Sequence, residues 1–463
     1  MFRFRAREVN KRYSFLFYSE IITKPGFDEY YISMKYFGTD GIRKDYRFFD
    51  REFLAKVACG IVKHAEVACV CLGRDTRNSG VYIEAVLTEE LIKRGVDVIR
   101  TGVITSPGLA VTACKLKCDC AVMISASHNP PNYNGIKVFD RYGRKISAQA
   151  ERAIERYIDN PFGERKPFGK KFFIDGRNIY TDFIVSATKI NIKGMKVMLD
   201  CGYGGASHFA KDVFEACGAS VYSINDAYAG EKINVSCGVM DMNNLLSRMS
   251  GVFDLGFSFD GDGDRTIAAR KGKIYDGDRL LFVNALEKKS KGVLRSNGVA
   301  GTVMTNMGAE RAYNKNGIRL YRADVGDRNV FRVILDNLLC LGGEKSGHII
   351  FNDFLNTGDG ILTALITCTL HQEKPLEERE DFTSVPESDR TISVSEAGKE
   401  YFNSSMLNGS LTLPCFKDAR VVVRGSGTEN KIRIHTESDD ATRGAEACDS
   451  IAEIIEEFLR EYL

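Results

Sequence analysis

The sequence predicts an α/β protein of four domains: three related α/β units with mixed or parallel sheets, then a C-terminal α+β domain. From residue 34 onward, short apolar segments alternate with helical segments, which is typical of parallel sheets covered by helices. The length of 463 residues also exceeds what one hydrophobic core supports. The predicted domains comprise residues 34–170, 171–276, 277–380 and 381–463, after an N-terminal extension of residues 1–33.

The first unit shows the alternation most clearly. Residues 50–65 are predicted to form a helix, and residues 67–72, 96–99 and 120–124 are predicted to form buried strands. Each strand is followed by a polar loop that contains glycine or proline. Because open α/β sheets bind ligands at the carboxyl ends of their strands, these loops are candidate ligand contacts.

The same order of strand, glycine-containing loop and helix recurs in the next two units. Residues 196–200 and 301–305 are the predicted strands that open them. In the last segment, predicted strands at 420–424 and 432–435 bracket a turn, and residues 440–463 form an acidic amphipathic helix. This segment is therefore predicted to be an α+β domain.

Composition excludes several classes of partner. Hydrophobic residues make up 44% and charged residues 27% of the chain, and the net charge is +2. No general field draws such a protein to nucleic acid or to an anionic membrane, and no apolar run reaches the roughly 20 residues of a spanning helix. Thirteen cysteines suit a reducing compartment. We expect a cytoplasmic protein that acts on a small molecule.

Ser127 lies where the predicted strand 120–124 gives way to a loop rich in proline and asparagine. His128 follows it, and Lys137 is predicted at the far end of that loop. A serine hydroxyl is a weak nucleophile that needs a neighbouring base or charge. A Ser-His pair alone is more often a polar turn, so the remaining motifs decide its interpretation.

Asp260, Asp262 and Asp264 alternate with glycines after a predicted strand over 252–259. Carboxylate oxygens suit a hard divalent cation, and glycine lets the backbone fold tightly around it. A calcium EF-hand requires glycine and glutamate where this chain has Arg265 and Lys271. Since Mg²⁺ prefers few protein carboxylates together with phosphate oxygens, the pattern predicts a magnesium ion beside a phosphoryl group.

Two further loops suit a phosphorylated sugar. Residues 424–429 and Arg433 offer guanidinium groups, hydroxyls and backbone amides for a phosphate, although a solvated hairpin tip fits equally well. Residues 342–348 offer a carboxylate, a hydroxyl and an imidazole for sugar hydroxyls, with a capped helix start as the alternative. The polar loops 325–328 and 357–360 belong to the same unit.

Together, these motifs resemble those of the α-D-phosphohexomutase superfamily from Met34 to the end of the chain. The matching segments, in family order, are FGTDGIR, GRDTRNSG, VITSPGLA, ISASHNPPNYNGIK, FDGDGDR, TVMTNMG, VGDR, GGEKSGH, NTGDG and RGSGTE. Within the superfamily the chain is most similar to bacterial phosphoglucosamine mutases. It departs at Lys44 and Asn430, where the family usually has glycine and proline, and at residues 202–205.

The resemblance implies a heart-shaped arrangement of four domains around a central cleft. It implies an isomerase that interconverts glucosamine 6-phosphate and glucosamine 1-phosphate through a phosphoserine and a hexosamine 1,6-bisphosphate. Ser127 would carry the phosphate and bind Mg²⁺ with Asp260, Asp262 and Asp264. Arg43, His128, Lys137 and His348 would surround the transferred group. The implied substrate-binding residues are Arg265, Asp327, Arg328, Glu344, Ser346, Arg424, Ser426, Gly427, Thr428 and Arg433.

Two other functions stay open on the sequence. A phosphomannomutase/phosphoglucomutase shares these motifs and differs in its contacts to the sugar at C2. A non-catalytic sugar-phosphate-binding homologue is disfavoured by the intact Ser127, the three aspartates and Lys137. The oligomeric state is also open, with a homodimer as one option, as are the source of the priming phosphate and the presence of residues 1–33 in the mature protein.

Overall fold

The computed structural model describes two compact units. It describes residues 34–462 except 39, 66, 160–166, 250, 380–381, 396, 400–401, 403–409, 417 and 427–429. The large unit comprises residues 35–305 and 309–382, and the small unit includes residues 306–308 and the chain from Thr383. The predicted extension 1–33 lies outside the described residues.

The first sheet of the large unit has seven strands in the order β1-β2-β6-β5-β3-β4-β7. The strands are β1 Phe37–Gly38, β2 Gly41–Asp45, β3 Cys69–Arg74, β4 Asp97–Val103, β5 Cys120–Ile124, β6 Tyr133–Asp140 and β7 Lys171–Phe173. Its helices are α1 Arg51–Ala65, α2 Asn78–Lys93, α3 Ser106–Lys115 and α4 Ala148–Asp159, with a 3₁₀ turn at Tyr46–Phe48. β5, β3, β4 and β7 are parallel, and the other pairs are antiparallel. β7 extends this sheet three residues past the boundary predicted at 170.

β5 begins and ends at the predicted residues, and all five of its side chains are buried. A strand that has a partner on each side and is covered on both faces has a continuous run of apolar residues, so its sequence identifies it well.

The chain after β5 differs from the prediction. Lys137 lies within β6, paired with Met123 of β5, and not at the end of a loop. Residues 37–38 and 41–45 form β1 and β2, although glycines interrupt this segment. Glycine and asparagine favour turns locally, but the pairing of β2 with β6 and of β6 with β5 holds these segments extended.

The second sheet has the order β12-β11-β10-β8-β9, with β10, β8 and β9 parallel. Its strands are β8 Lys196–Asp200, β9 Ser220–Ile224, β10 Leu255–Phe259, β11 Thr266–Arg270 and β12 Lys273–Tyr275. Its helices are α5 Gly176–Thr188, α6 Ala210–Ala216 and α7 Asn243–Arg248, with a 3₁₀ turn at Gly238–Met240. β10 ends directly before the three aspartates, as the sequence predicts.

The third sheet has the order β14-β13-β15-β16, with β16 antiparallel. Its strands are β13 Gly298–Thr302, β14 Arg319–Ala323, β15 Leu341–Gly343 and β16 Ile349–Phe351. Its helices are α8 Gly277–Ser290, α9 Met307–Lys315, α10 Asp327–Asp336, α11 Gly360–Glu373 and α12 Leu376–Arg379, with a 3₁₀ turn at Arg295–Asn297. The strand predicted at 301–305 was wrong by three residues, because Thr305 caps a turn by accepting the Thr302 N–H.

The small unit contains one antiparallel sheet in the order β17-β20-β19-β18. Its strands are β17 Glu387–Ser393, β18 Ser410–Phe416, β19 Ala419–Gly425 and β20 Lys431–Glu437, and its long helix is α13 Ala441–Tyr462. Ile451 and Ile455 of α13 pack on Val421, Val423 and Ile434 of the sheet. The predicted α/β class with a C-terminal α+β region is confirmed. No helix in the described part of the chain combines the length and apolarity that a membrane crossing requires.

Candidate active site

Ser127 is fully buried and has a left-handed backbone, with φ of +50°. A non-glycine residue in this region carries backbone strain, which persists only where the surroundings hold it. Its N–H donates to Oγ of Ser125 over 2.9 Å, and its own Oγ donates to Oδ2 of Asp260 over 2.6 Å. The hydroxyl is therefore aimed at the aspartate loop.

Arg77 clamps the loop that carries Ser127. Its Nη2 donates to the carbonyl oxygens of Ser127 and Asn129 over 2.9 and 2.6 Å, and its Nη1 to that of Tyr133 over 2.8 Å and to that of Pro130. The guanidinium is completely buried, so each of these charge-assisted bonds acts in a medium of low dielectric constant. One side chain thus fixes most of the backbone between β5 and β6.

Asp75 neutralises that buried arginine. Its Oδ2 lies 2.9 Å from Nε of Arg77 and also accepts the Oγ–H of Ser125 over 2.6 Å. Ser125 in turn accepts the N–H of Ser127. A continuous chain of hydrogen bonds therefore runs from the loop after β3 to the candidate nucleophile.

The three aspartates form a buried carboxylate cluster. One oxygen from each of Asp260, Asp262 and Asp264 lies within 4.8 Å of the others, and none of the residues is more than 2% exposed. A Cβ at Gly261 would lie 2.4 Å from the Ser127 carbonyl oxygen, so glycine is required for the loops to approach. Burial and the charges of Asp264 and Asp262 raise the pKa of Asp260 to about 8.

Lys137 supplies the compensating charge. Its Nζ lies 2.6 Å from Oδ2 of Asp262, 3.4 Å from Oδ2 of Asp264 and 2.9 Å from Oδ2 of Asp40. Burial opposes its charge, but Asp262 and Asp264 outweigh that effect and raise the pKa of Lys137. Lys145 extends the network by pairing with Asp40 and with Asp327.

The carboxylate cluster fits a divalent cation. Among the described residues, Oδ1 of Asp262 and Oδ1 of Asp264 are buried and have no hydrogen-bond partner. A buried carboxylate oxygen left without a partner is costly, and a cation ligated by these oxygens removes that cost. Three oxygen donors suit a hard ion such as Mg²⁺.

Two imidazoles flank the cluster. Nδ1 of His128 lies 3.1 Å from Nη1 of Arg265, and burial together with the charges of Arg265 and Arg43 lowers the pKa of His128 to about 2. His348 lies between two carboxylates, with Nδ1 3.5 Å from Oδ1 of Asp264. The Gly358 N–H donates to its Nε2 over 3.1 Å, which assigns the proton of the neutral ring to Nδ1. Burial opposes the charge of His348, but Asp264 and Asp327 outweigh that effect and raise the pKa of His348.

The remaining candidates of the large unit differ in their surroundings. Arg43 pairs with Asp40 beside the Ser127 loop. Oε1 of Glu344, which is buried, accepts the Gly326 N–H over 3.0 Å, while Ser346 is exposed. Arg328 makes a bidentate pair with Glu151, at 2.7 and 2.8 Å. Its guanidinium is therefore engaged within the protein.

The phosphate-binding candidates belong to the small unit. Arg424 and Arg433 are directly paired across β19 and β20, and Ser426 is buried at the end of β19. Gly427 and Thr428 lie outside the described residues. Paired strands place the two guanidinium-bearing residues on one face of the sheet.

Sequence reasoning missed Asp75, Arg77 and Asn234. The loop after β3 was recognised as polar, but nothing in its composition singled out Arg77 as the residue that binds the Ser127 loop. Nδ2 of Asn234 donates to the Ser127 carbonyl oxygen over 2.8 Å across 107 residues of sequence. No local signal predicts that contact.

Comparison with known proteins is consistent with this geometry. The sequence matches four profiles of phosphoglucomutase/phosphomannomutase: α/β/α domain I over residues 34–163, domain II over 178–273, domain III over 276–384 and the C-terminal domain over 415–454. The phosphoglucosamine mutase of Fusobacterium nucleatum is 36% identical over 449 residues, covering 92% of this chain and 99% of that protein. The chain belongs to the phosphoglucomutase/phosphomannomutase family.

Other members of the family agree. The phosphoglucosamine mutase of Nautilia profundicola is 37% identical over 435 residues, covering 89% of this chain and 97% of that protein. A phosphoglucomutase/phosphomannomutase family protein from Burkholderia thailandensis has the same fold, with a TM-score of 0.75 at 21% identity, covering 91% of this chain and 96% of that one. N-acetylphosphoglucosamine mutase of Aspergillus fumigatus, solved with GlcNAc-6P and magnesium, matches with a TM-score of 0.64 at 14% identity, covering 91% of this chain and 95% of that one.

Proposed function

We propose that this chain interconverts glucosamine 6-phosphate and glucosamine 1-phosphate, with Ser127 as the phosphate carrier. The contact between Oγ of Ser127 and Oδ2 of Asp260, inside the buried carboxylate cluster, is the observation that carries the proposal. The choice of amino sugar is supported by similarity to bacterial phosphoglucosamine mutases over about nine-tenths of the chain.

Transfer within one sugar is difficult directly, because O6 and O1 lie on opposite sides of the ring. In the proposed cycle, the bond between phosphorus and Oγ of Ser127 breaks as a bond to the free sugar hydroxyl forms. The hydroxyl proton passes to a base beside the transferred group. His348, whose pKa is raised by Asp264 and Asp327, would accept it at Nε2 in place of the Gly358 hydrogen bond, whereas the lowered pKa of His128 makes that imidazole a poor acceptor. The resulting 1,6-bisphosphate reorients and returns its other phosphate to Ser127, so the enzyme is unchanged after one turnover.

Phosphoryl transfer depends mainly on alignment and charge neutralisation. Arg77 and Asp75 hold Ser127 in place, and Lys137 remains cationic because Asp262 and Asp264 surround it. Asp260, Asp262 and Asp264, with phosphorylated Ser127, would hold Mg²⁺. When bound, the ion supplies positive charge beside the transferred group.

Substrate recognition is assigned to two regions. Glu344 and Ser346 would bind sugar hydroxyls, with Arg265, Asp327 and Arg328 lining the same part of the large unit. Arg424, Ser426 and Arg433, with Gly427 and Thr428, would bind the phosphate that is not being transferred. Two arginines paired across adjacent strands suit a phosphate dianion, which accepts several charge-assisted hydrogen bonds.

Coupled assays with glucosamine 6-phosphate, glucose 6-phosphate and mannose 6-phosphate test the assignment. We expect the highest kcat/KM on the amino sugar. Preference for glucose or mannose phosphate would replace it with phosphoglucomutase or phosphomannomutase activity. No turnover on any of the three, with a matching hexose 1,6-bisphosphate supplied as activator, would favour the non-catalytic homologue.

A further inference from the structure

A second cluster of metal-ligating side chains lies in the small unit. His435, Glu437 and Glu387 each bring one ligand atom to within 4.8 Å of the others. Glu387 pairs with Glu437 across β17 and β20, and Asp389 pairs with His435. Because paired residues share a face and side chains alternate along a strand, all four project from one face of the sheet. Ile434 and Val423 face α13 on the other side.

His435 is oriented as a metal ligand. Its Nδ1 lies 2.9 Å from Oδ1 of Asp389, and the residue is 5% exposed. If Nδ1 carries the proton and donates it to Asp389, the lone pair of Nε2 faces the cluster. Nε2 is buried and has no hydrogen-bond partner among the described residues. A carboxylate behind a histidine is the usual arrangement that fixes the ring of a metal-binding imidazole.

Glu437 presents one oxygen in the same way. It is fully buried, and its Oε2 accepts from Nε and Nη2 of Arg420 over 2.7 and 2.6 Å. Its Oε1 is buried without a hydrogen-bond partner in the described part of the chain. Arg420 therefore holds the carboxylate in place and leaves the second oxygen facing His435.

The separation of these two atoms fits a shared ion. Nε2 of His435 lies 3.7 Å from Oε1 of Glu437, which is too long for a hydrogen bond. Two ligands that are each about 2.1 Å from one tetrahedral ion are about 3.4 Å apart, so a shift of only about 0.3 Å would bring both atoms to ligand distance. Oε1 of Glu387, at the exposed edge of the cluster, accepts from Nδ2 of Asn306 over 2.7 Å.

We propose that His435, Glu437 and Glu387 form a binding site for Zn²⁺ or a similar divalent transition metal. An imidazole with carboxylates suits such ions, whereas the all-oxygen cluster of the large unit suits Mg²⁺. The site lies on β20 two residues from Arg433, on the same face of the sheet. A bound ion would tie β17 to β20 and brace the strand that carries this phosphate-binding candidate.

Calorimetric titration of the intact protein with Zn²⁺, in excess Mg²⁺ and without chelators, tests the site. We expect one tight equivalent in the wild type, weakened at least about 10-fold by His435→Gln. The matched control is His371→Gln, which alters another buried histidine, outside the cluster, whose Nδ1 accepts the Leu376 N–H. Equal binding by both variants, or no binding by the wild type, would overturn the proposal and leave His435 as an imidazolium between two carboxylates.

Two further measurements test which residues bind the ion. Glu387→Gln alters an exposed ligand, so it should fold normally and still weaken Zn²⁺ binding about 10-fold or more. Co²⁺ absorption separates this site from the cysteines: we expect weak visible bands only. An intense near-ultraviolet thiolate band that persists in His435→Gln would place the ion on cysteine and refute the proposed ligands.

Discussion

The region around Ser127 and the region around Arg433, which are the two proposed phosphate sites, differ in how deeply they are buried. Ser127, Lys137 and the three aspartates are almost wholly buried, and their charges are paired before any substrate arrives. Arg433 is an exposed residue on a strand of the small unit. A site that transfers a phosphoryl group benefits from preorganised charges in a dry environment, whereas a site that only holds phosphate can stay open to water.

The two regions also differ in how the chain builds them. The Ser127 region draws side chains from loops far apart in sequence, and the contact of Ser127 with Asp260 spans 133 residues. Arg424 and Arg433 come from adjacent strands of one sheet. Substitutions in the first region should therefore affect both folding and chemistry, and those in the second should affect binding alone.

The largest effect is expected from removing the candidate nucleophile. Ser127→Ala should lower turnover by about 10⁴-fold or more, since it removes the hydroxyl that is proposed to carry the phosphate. Intact mass should show one added phosphate on active wild-type protein and none on the variant. Ser125→Ala, which removes a neighbouring hydroxyl, should keep the phosphate. Full activity of unphosphorylated wild type without a bisphosphate activator would contradict the role of Ser127.

The next effect tests whether burial gives the Ser127 loop its rigidity. Arg77 and Arg177 each pair with an aspartate two residues earlier, but the first pair is completely buried and the second is about one-third exposed. Arg77→Lys loses the forked donors that bind four carbonyl groups, so we expect the unfolding free energy to fall by about 3 kcal/mol, with a lower kcat.

Arg177→Lys is the matched control and should change the unfolding free energy by less than about 1 kcal/mol. Urea denaturation measures both variants. Similar losses in the two would mean that burial of the Arg77 pair does not distinguish the regions. An unchanged kcat in folded Arg77→Lys would remove the positioning role of Arg77.

Burial of Asp359 should also make the stability of the large unit depend on pH. Burial raises the pKa of this carboxyl from 3.8 to about 6, although the Leu362 N–H and the Tyr180 hydroxyl donate to it. The folded state then holds a proton that the unfolded state has released between these values. Stability should therefore decline as pH rises through this window, by at most about 3 kcal/mol.

Asp359→Asn should flatten that decline while keeping the cap of α11, because asparagine is an equally good N-cap residue. Urea denaturation from about pH 4 to about pH 7 measures the slope. Identical slopes in wild type and variant would show that Asp359 titrates as an ordinary carboxyl in the folded protein.

The smallest effect is expected in the region around Arg433, which is exposed to water. Arg433→Ala should raise KM about 10-fold, equivalent to about 1.4 kcal/mol, and leave phosphorylation of Ser127 intact. The control is Arg390→Ala, an exposed arginine of β17 that pairs with Asp449 of α13. An unchanged KM for Arg433→Ala, or an equal rise for both variants, would argue against phosphate binding by Arg433.

Local sequence predicted the parts of the protein that are contiguous in the chain. β5 was predicted residue for residue because its apolar run reflects burial on both faces. The Asp260 to Asp264 repeat indicated a cation site because alternating glycines and carboxylates have few other uses. The resemblance added membership of the family, which the comparisons confirm.

Only the tertiary structure decided which charges meet. In the folded chain, Arg328 pairs with Glu151 across 177 residues, Lys137 pairs with Asp262, and Arg77 donates to the Ser127 loop. Lys137, which was predicted to lie at the end of a loop, lies within a strand. The reason is physical: a charge is buried only where packing supplies its partner, and that partner's position depends on how distant strands and helices come together.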